Sequence, residues 1–180
     1  MFKFTMCLFF VLLLGLSALA QDFPRGELFG GYSYNRSDGA NFNGWGASIT
    51  ENVNPTFGIK GDFSGHYMTK SSNGYKVENW LHTVALGPQI SMRASDSFSG
   101  FFHGLVGATN RRLKTTPASA PESDSHTVFA LIFGGGVDMK VSKSVAFRVL
   151  QVDYMLNRSQ GETLNNFRFS AGFVYRFGWR

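Results

Sequence analysis

The sequence predicts an all-β fold: an eight-stranded antiparallel up-and-down β-barrel that crosses a membrane with strands rather than helices. Three observations carry that prediction. The C-terminal stretch sets Phe167, Phe169, Ala171, Phe173, Tyr175 and Phe177 on one face. Arg168, Ser170, Gly172, Val174 and Arg176 fall on the other, because successive strand side chains point to opposite sides. Seven earlier segments alternate in the same way, and nothing after residue 20 sustains a 3.6-residue helical period. The connections between segments alternate long and short, as the loops and turns of a transmembrane barrel do.

The N-terminus and the composition agree. Lys3, the apolar run from Cys7 to Leu14 and the small-x-small site Ala18-Leu19-Ala20 before Gln21 form a secretory signal peptide, residues 1–20, expected to be cleaved. That run is shorter than the roughly 20 apolar residues of a spanning helix. Cys7 lies inside it, so the mature chain, one barrel domain over residues 21–180, has no cysteine. A secreted chain without disulfides must be held by a core or by its backbone ladder. Removing Lys3 takes the formal net charge from +5 to +4, too small an excess to call for nucleic acid. Charged residues are 16% of the chain, against about 25% in soluble domains, while Phe occurs 19 times. Mean hydropathy is near zero with no long apolar run after the signal, so the hydrophobicity is dispersed by alternation.

The first strand runs from Glu27 to Tyr34, with Leu28, Gly30, Tyr32 and Tyr34 on one face. The second, Gly44 to Asn52, sets Trp45, Ala47 and Ile49 against Gly46, Ser48 and Thr50. The third, Phe57 to Tyr67, opposes Phe57, Ile59, Gly61, Phe63, Gly65 and Tyr67 to Gly58, Lys60, Asp62, Ser64 and His66. In the fourth, Val84, Leu86, Pro88, Ile90 and Met92 face away from Thr83, Ala85, Gly87, Gln89, Ser91 and Arg93. Pro88 is awkward there because it brings no ladder donor. The fifth, Gly100 to Asn110, is Gly-rich and its parity is ambiguous. The sixth sets Phe129, Leu131, Phe133, Val137, Met139 and Val141 against Ala130, Gly134, Gly136, Asp138 and Lys140. In the seventh, Arg148 has one parity and Gln151 and Asp153 the other, so a bulge near Val149-Leu150 is needed to keep all three inside. The eighth is the closing strand.

The expected connections are Asn35–Asn43, Val53–Pro55, Met68–Asn79, Ala94–Ser99, Arg111–Ser125, Ser142–Ser144 and Asn157–Asn166. An even strand count puts both termini and the short turns in the periplasm and the four long loops outside the cell. The basic run Arg111-Arg112-Leu113-Lys114 suits a solvated surface or anionic lipid headgroups.

A soluble lipocalin-type barrel shows the same alternation with the faces exchanged. The polar face here is mostly Gly, Ser, Thr and Ala, which suits a crowded lumen better than a solvated exterior rich in Lys and Glu. Aromatic residues gather near strand ends. Tyr32, Tyr34, Tyr67, Trp80, Tyr154 and Phe167 border long loops, and Phe57 and Phe177 lie by the short ends, as two membrane-interface girdles require.

The stretches Glu27-Leu28-Phe29-Gly30-Gly31-Tyr32-Ser33-Tyr34, Gly58-Ile59-Lys60-Gly61-Asp62-Phe63-Ser64-Gly65 and Phe169-Ser170-Ala171-Gly172-Phe173-Val174-Tyr175-Arg176-Phe177 resemble the small eight-stranded outer-membrane barrels of the OmpA transmembrane-domain type, within the broad group of outer-membrane protein β-barrel domains. The resemblance covers essentially the whole mature chain. It implies a place in the bacterial outer membrane, contact with outer-membrane lipid and lipopolysaccharide, and insertion by machinery that reads the C-terminal strand. It is specific for architecture and not for activity, since such barrels serve as structural proteins, adhesins, narrow pores and enzymes. Trp179-Arg180 depart from the family pattern by following the usual last Phe.

Lys60, Asp62, His66, Arg93, Asp138, Lys140, Arg148, Asp153, Arg168 and Arg176 all have lumen parity. An eight-stranded barrel is just wide enough for side chains to fill, so these are expected to pair into a buried ionic network. Asp62, Ser64 and His66 are the residue types of a hydrolytic triad. On one strand, i and i+2 neighbours lie roughly 7 Å apart, which does not suit triad geometry. His82, His103 and His126 lie at or beyond strand ends without metal-ligand spacing and read as interfacial or loop residues. No helix pattern follows Gly134-Gly135-Gly136, which reads as a response to curvature or tight lumen packing rather than a nucleotide loop. The expectation is a monomer with no catalytic residue, cofactor or metal, a plugged lumen, and a structural or surface-interaction role toward an unidentified partner through its long loops. A narrow small-solute pore is the alternative; a lipid-modifying outer-membrane enzyme or a soluble ligand binder comes third.

Overall fold

The computed structural model describes residues 23–37, 39–72, 75–93, 95–116, 123–159 and 162–179; the expected signal peptide lies outside them. Eight strands follow in chain order: β1 (Pro24–Ser37), β2 (Ala40–Asn52), β3 (Phe57–Ser72), β4 (Tyr75–Met92), β5 (Phe98–Thr116), β6 (Ser123–Lys140), β7 (Val145–Ser159) and β8 (Glu162–Trp179). Each pairs antiparallel with its sequence neighbours. β8 returns to β1, with pairs from Pro24↔Trp179 to Ser37↔Asn166, so the sheet is a closed barrel with strands in sequence order. Closure leaves no open edge, which is what lets a sheet sit in hydrocarbon.

The end that holds Pro24 and Trp179 is the base, and its turns are tight, as expected. Val53 N donates to Phe57 O at 2.9 Å, and Val141 N to Val145 O at 2.9 Å. The Asn54 side chain accepts from Thr56 N at 2.9 Å and Phe57 N at 2.8 Å, an Asx turn that fixes the β2–β3 reversal.

At the opposite end, the rim, the structure differs from the expected long loops. Pairing runs on to Ser37↔Ala40, Ser72↔Tyr75, Lys114↔Ser123 and Ser159↔Glu162, so most of the segments read as loops are strand. The physical reason is that two antiparallel neighbours leaving a membrane still satisfy each other's backbone groups. Their hydrophobic alternation stops because outward positions such as Arg36, Asn41, Lys76 and Arg158 are polar and exposed, and without an apolar face the pattern reads as a loop. Gly39, with φ of 73°, makes the first of these hairpins tight.

Within the barrel the alternation holds. Phe57, Leu86, Phe102, Phe133 and Phe173 point outward and are 52–62% exposed. Lys60, His66, Gln151, Asp153 and Arg168 point inward and are at most 2% exposed. This is the reverse of a soluble ligand-binding barrel. β5 resolves its parity with Phe101, His103 and Leu105 inside and Phe98, Phe102 and Val106 outside. In β7 the register shifts between Arg148 and Gln151. Val149 and Leu150 both face out, at 48% and 47% exposure, so Arg148, Gln151 and Asp153 all point inward. Buried apolar side chains among the described residues include two small clusters, Ala85, Leu105, Ile132 and Met155, and Phe29, Ala146 and Val174.

Candidate functional site

The interior is built by the inward parity of all eight strands, and its charged residues form one connected chain. Near the base, Arg176 on β8 lies 3.5 Å from Glu27 on β1 and 3.3 Å from Asp138 on β6. Asp138 also takes a bidentate pair from Arg148 on β7, at 2.8 and 3.2 Å. The Arg148 guanidinium sits between two rings, 4.5 Å from Phe29 and 4.1 Å from Phe101, which substitutes ring faces for lost water. Arg148 then donates to Gln151 Oε1 at 2.7 Å, and Gln151 donates to Asp153 at 2.7 Å. Arg168 on β8 bridges Asp153 and Asp62 at 2.7 Å each and reaches Ser64 Oγ at 3.0 Å. Asp62 is on β3, across the lumen, so this residue ties opposite walls together.

On the other side of Asp153 stands His103, its Nε2 3.0 Å from Asp153 Oδ1 and its Nδ1 3.3 Å from Lys60 Nζ. A Lys ammonium only donates, so Nδ1 accepts and the ring hydrogen sits on Nε2, on the side of the carboxylate but without hydrogen-bond alignment to it. Four carboxylates (Glu27, Asp62, Asp138, Asp153) and four cations (Lys60, Arg148, Arg168, Arg176) are buried among the described residues, so the interior is formally balanced. Balance matters because an unpaired buried charge costs several kcal/mol.

Three residues expected in this network from their parity stand apart from it. Lys140 is exposed at the base end of β6, since the barrel has ended by that position. Arg93 is half-buried at the base mouth and donates to the Pro55 carbonyl. His66 is buried without a carboxylate partner; its Nε2 lies 2.9 Å from Ser33 Oγ, which also meets Ser170 Oγ at 2.9 Å. Ser64 therefore faces Arg168 rather than His66, and the triad residue types do not form a triad. Glu27 and His103 also belong to the network, outside the ten residues expected in it. Sequence alone places His103 near a strand end; β5 carries on well past it on both sides, and only the cross-strand register with β4 and β6 fixes its inward face.

Glycine makes room for this packing. A Cβ on Gly134 would run into the Asp153 carboxylate, and one on Gly136 would lie 2.8 Å from the Phe101 ring. Outside, the aromatic residues near the strand ends make local contacts. Toward the rim, Tyr32, Tyr34 and Tyr154 donate to Asn43 at 2.6 Å, Asn41 at 2.8 Å and Asn165 at 3.0 Å. Tyr67 stands against His82, its ring centroid 5.8 Å away, Phe167 lies tilted against Tyr154 at 5.3 Å, and Trp80 lies under Arg112 at 5.8 Å. Toward the base, Phe57 is exposed and Phe177 stacks on Tyr175 at 6.0 Å.

Comparison with known proteins places this architecture. Among solved structures, Ail, the attachment invasion locus protein of Yersinia pestis, crystallised with the heparin analogue sucrose octasulfate, is similar at 18% identity and a TM-score of 0.59; the match covers 87% of this chain and 99% of that one. Neisserial surface protein A is similar at 14% identity and 0.57, covering 84% and 96%. The N-terminal β-barrel domain of Pseudomonas aeruginosa OprF is similar at 10% and 0.53, covering 86% and 100%. At these identities the likeness is one of fold. No curated protein matches the sequence. The family described as Outer membrane protein beta-barrel domain matches residues 6–177. The chain belongs to that family and is a protein of the bacterial outer membrane.

Proposed function

We propose that this protein is a structural, surface-presenting barrel whose interior is closed to solutes. The observation that carries this reading is the continuous ion-pair chain from Glu27 through Arg176, Asp138, Arg148, Gln151, Asp153 and Arg168 to Asp62, which occupies the lumen from base to mid-height. Near the base mouth, between Glu27, Arg93, Asp138 and Arg176, the remaining cavity is about 10 Å³, room for about one water. Eight strands leave an interior that side chains can fill, in contrast to the wide lumen of larger porins.

The surface role falls to the four rim hairpins, which extend the sheet beyond the girdle. Their outward faces carry Arg36, Lys76, Arg112, Lys114 and Arg158, and Glu78 beside Lys76 at 2.7 Å. Such a collar above an aromatic belt suits the phosphate groups of lipopolysaccharide. In this reading the signal peptide, residues 1–20, is cleaved, insertion machinery reads β8, the barrel acts as a monomer, and no residue is assigned to catalysis.

The test is conductance in planar bilayers. The purified protein is expected to pass no steady current, and a persistent unitary conductance at neutral pH would replace this reading with that of a small-solute pore.

A further inference from the structure

The outer wall between β3 and β7 holds an apolar groove of about 710 Å³ that the rest of the lipid-facing surface does not explain. Its floor is Pro88, Gly104 and Gly135, three outward positions with little or no side chain to fill the wall. Its sides are the rings of Phe102 and Phe133 with Phe57 and Ile90 below.

The groove has two structural causes. The β4–β5 ladder pairs Leu86 with Val106 and resumes at Gln89 with His103, skipping Gly87 and Pro88. Pro88 brings no N–H to that ladder. Gly135 is forced, since a Cβ there would lie 2.8 Å from the Phe102 ring. Gly104 is not: a Cβ there would make ordinary contact with the Phe133 ring at 3.5 Å. The hollow over Gly104 is therefore space that packing alone does not require.

We infer that this groove is a binding site for one acyl chain of a phospholipid from the periplasmic leaflet. The groove is continuous with the membrane-facing belt, so hydrocarbon is what meets it. Its length also fits a single leaflet. Phe57 and Ile90 lie by the base turns, which the even strand count puts in the periplasm. Gly104 lies six residues into β5 from Phe98, about 14 Å deep at roughly 3.3 Å per residue and about 45° tilt. Half of a hydrocarbon core of about 30 Å is about the same depth. A chain seated between Phe102 and Phe133 is held on three sides, where an ordinary boundary lipid touches only one.

The experiment is native mass spectrometry of the protein refolded in vesicles of phosphatidylethanolamine and phosphatidylglycerol and released into mild detergent. The expected spectrum is a monomer carrying one phospholipid. Gly104→Leu, whose side chain fills the groove, is expected to lose that adduct. Gly30→Leu is expected to keep it, because Gly30 also faces outward and a Cβ there meets nothing within 4 Å. A boiling-dependent gel shift establishes that each variant is folded. If Gly104→Leu does not fold, Gly104→Ala and Gly104→Val give graded filling, and retention is expected to fall in that order. A bare wild-type monomer, or equal retention in every folded Gly104 variant, overturns the site. A wild-type dimer dispersed by filling Gly104 overturns it in favour of an interface between two copies.

Discussion

Replacing Arg168 with Met removes the residue that ties β8 to β3 through the lumen. Arg168 is 2% exposed and donates to Asp62 at 2.7 Å, to Ser64 at 3.0 Å and to Asp153 at 2.8 Å. The two carboxylates do not suffer equally. Asp153 keeps Gln151 at 2.7 Å and His103 at 3.0 Å, whereas Asp62 loses its ion pair. The cost is therefore close to that of stranding one buried charge, about 3–5 kcal/mol, or roughly a thousandfold in the folding constant. Methionine keeps most of the stem volume, so little of this comes from a cavity. Urea titration in lipid vesicles measures it, with the gel shift and the fluorescence of Trp45, Trp80 and Trp179 as independent probes of the folded fraction. Adding Asp62→Asn is expected to restore most of the loss, because the stranded charge leaves with the arginine and three carboxylates then balance three cations. A loss below about 1 kcal/mol for Arg168→Met alone would show that these pairs behave as solvated surface pairs, and the interior would then have to be wet.

Other perturbations test the remaining steps. Leu86→Arg places a cation on the outward face at mid-wall, where Leu86 is 59% exposed; it is expected to cost about 2–4 kcal/mol in the same titration. Ser71→Arg, on the outward face of a rim hairpin, is expected to cost almost nothing, and equal small effects would mean that the apolar belt does not meet hydrocarbon. Deleting Val149 removes the bulge and turns one side of β7 over. Either Arg148 or Gln151 and Asp153 must then face lipid, so the boiling-dependent shift is expected to disappear; an intact shift would mean that the bulge does not set the face. Gly134→Ala drives a Cβ into the Asp153 carboxylate and is expected to cost about 1–3 kcal/mol as overpacking. Gly30→Ala serves as the neutral comparison for it in urea titration.

How far the sequence reached can be argued from single strands. The closing strand, β3 and β4 each state their inner and outer faces outright, because strand parity depends only on position along one chain. The bulge in β7 was legible for the same reason: three polar residues could not share a face without one extra residue between them. The rim hairpins were not legible, since Ser, Thr, Asn and Lys on both faces carry no hydrophobic alternation, and what makes them strand is the partner across the ladder.

The sequence by itself determined the strand count, the face that meets lipid and the polar character of the lumen, all of which follow from local periodicity. Only the tertiary structure decided which charges meet. Arg168 finds Asp62 at a separation of 106 residues, through closure of β8 on β1 and the inward projection of β3. Lys140 falls out of the lumen because the wall ends there, and His103 enters it because the register of β5 against β4 and β6 turns it inward. Periodicity fixes the side to which a residue points; barrel closure and register fix what it finds there.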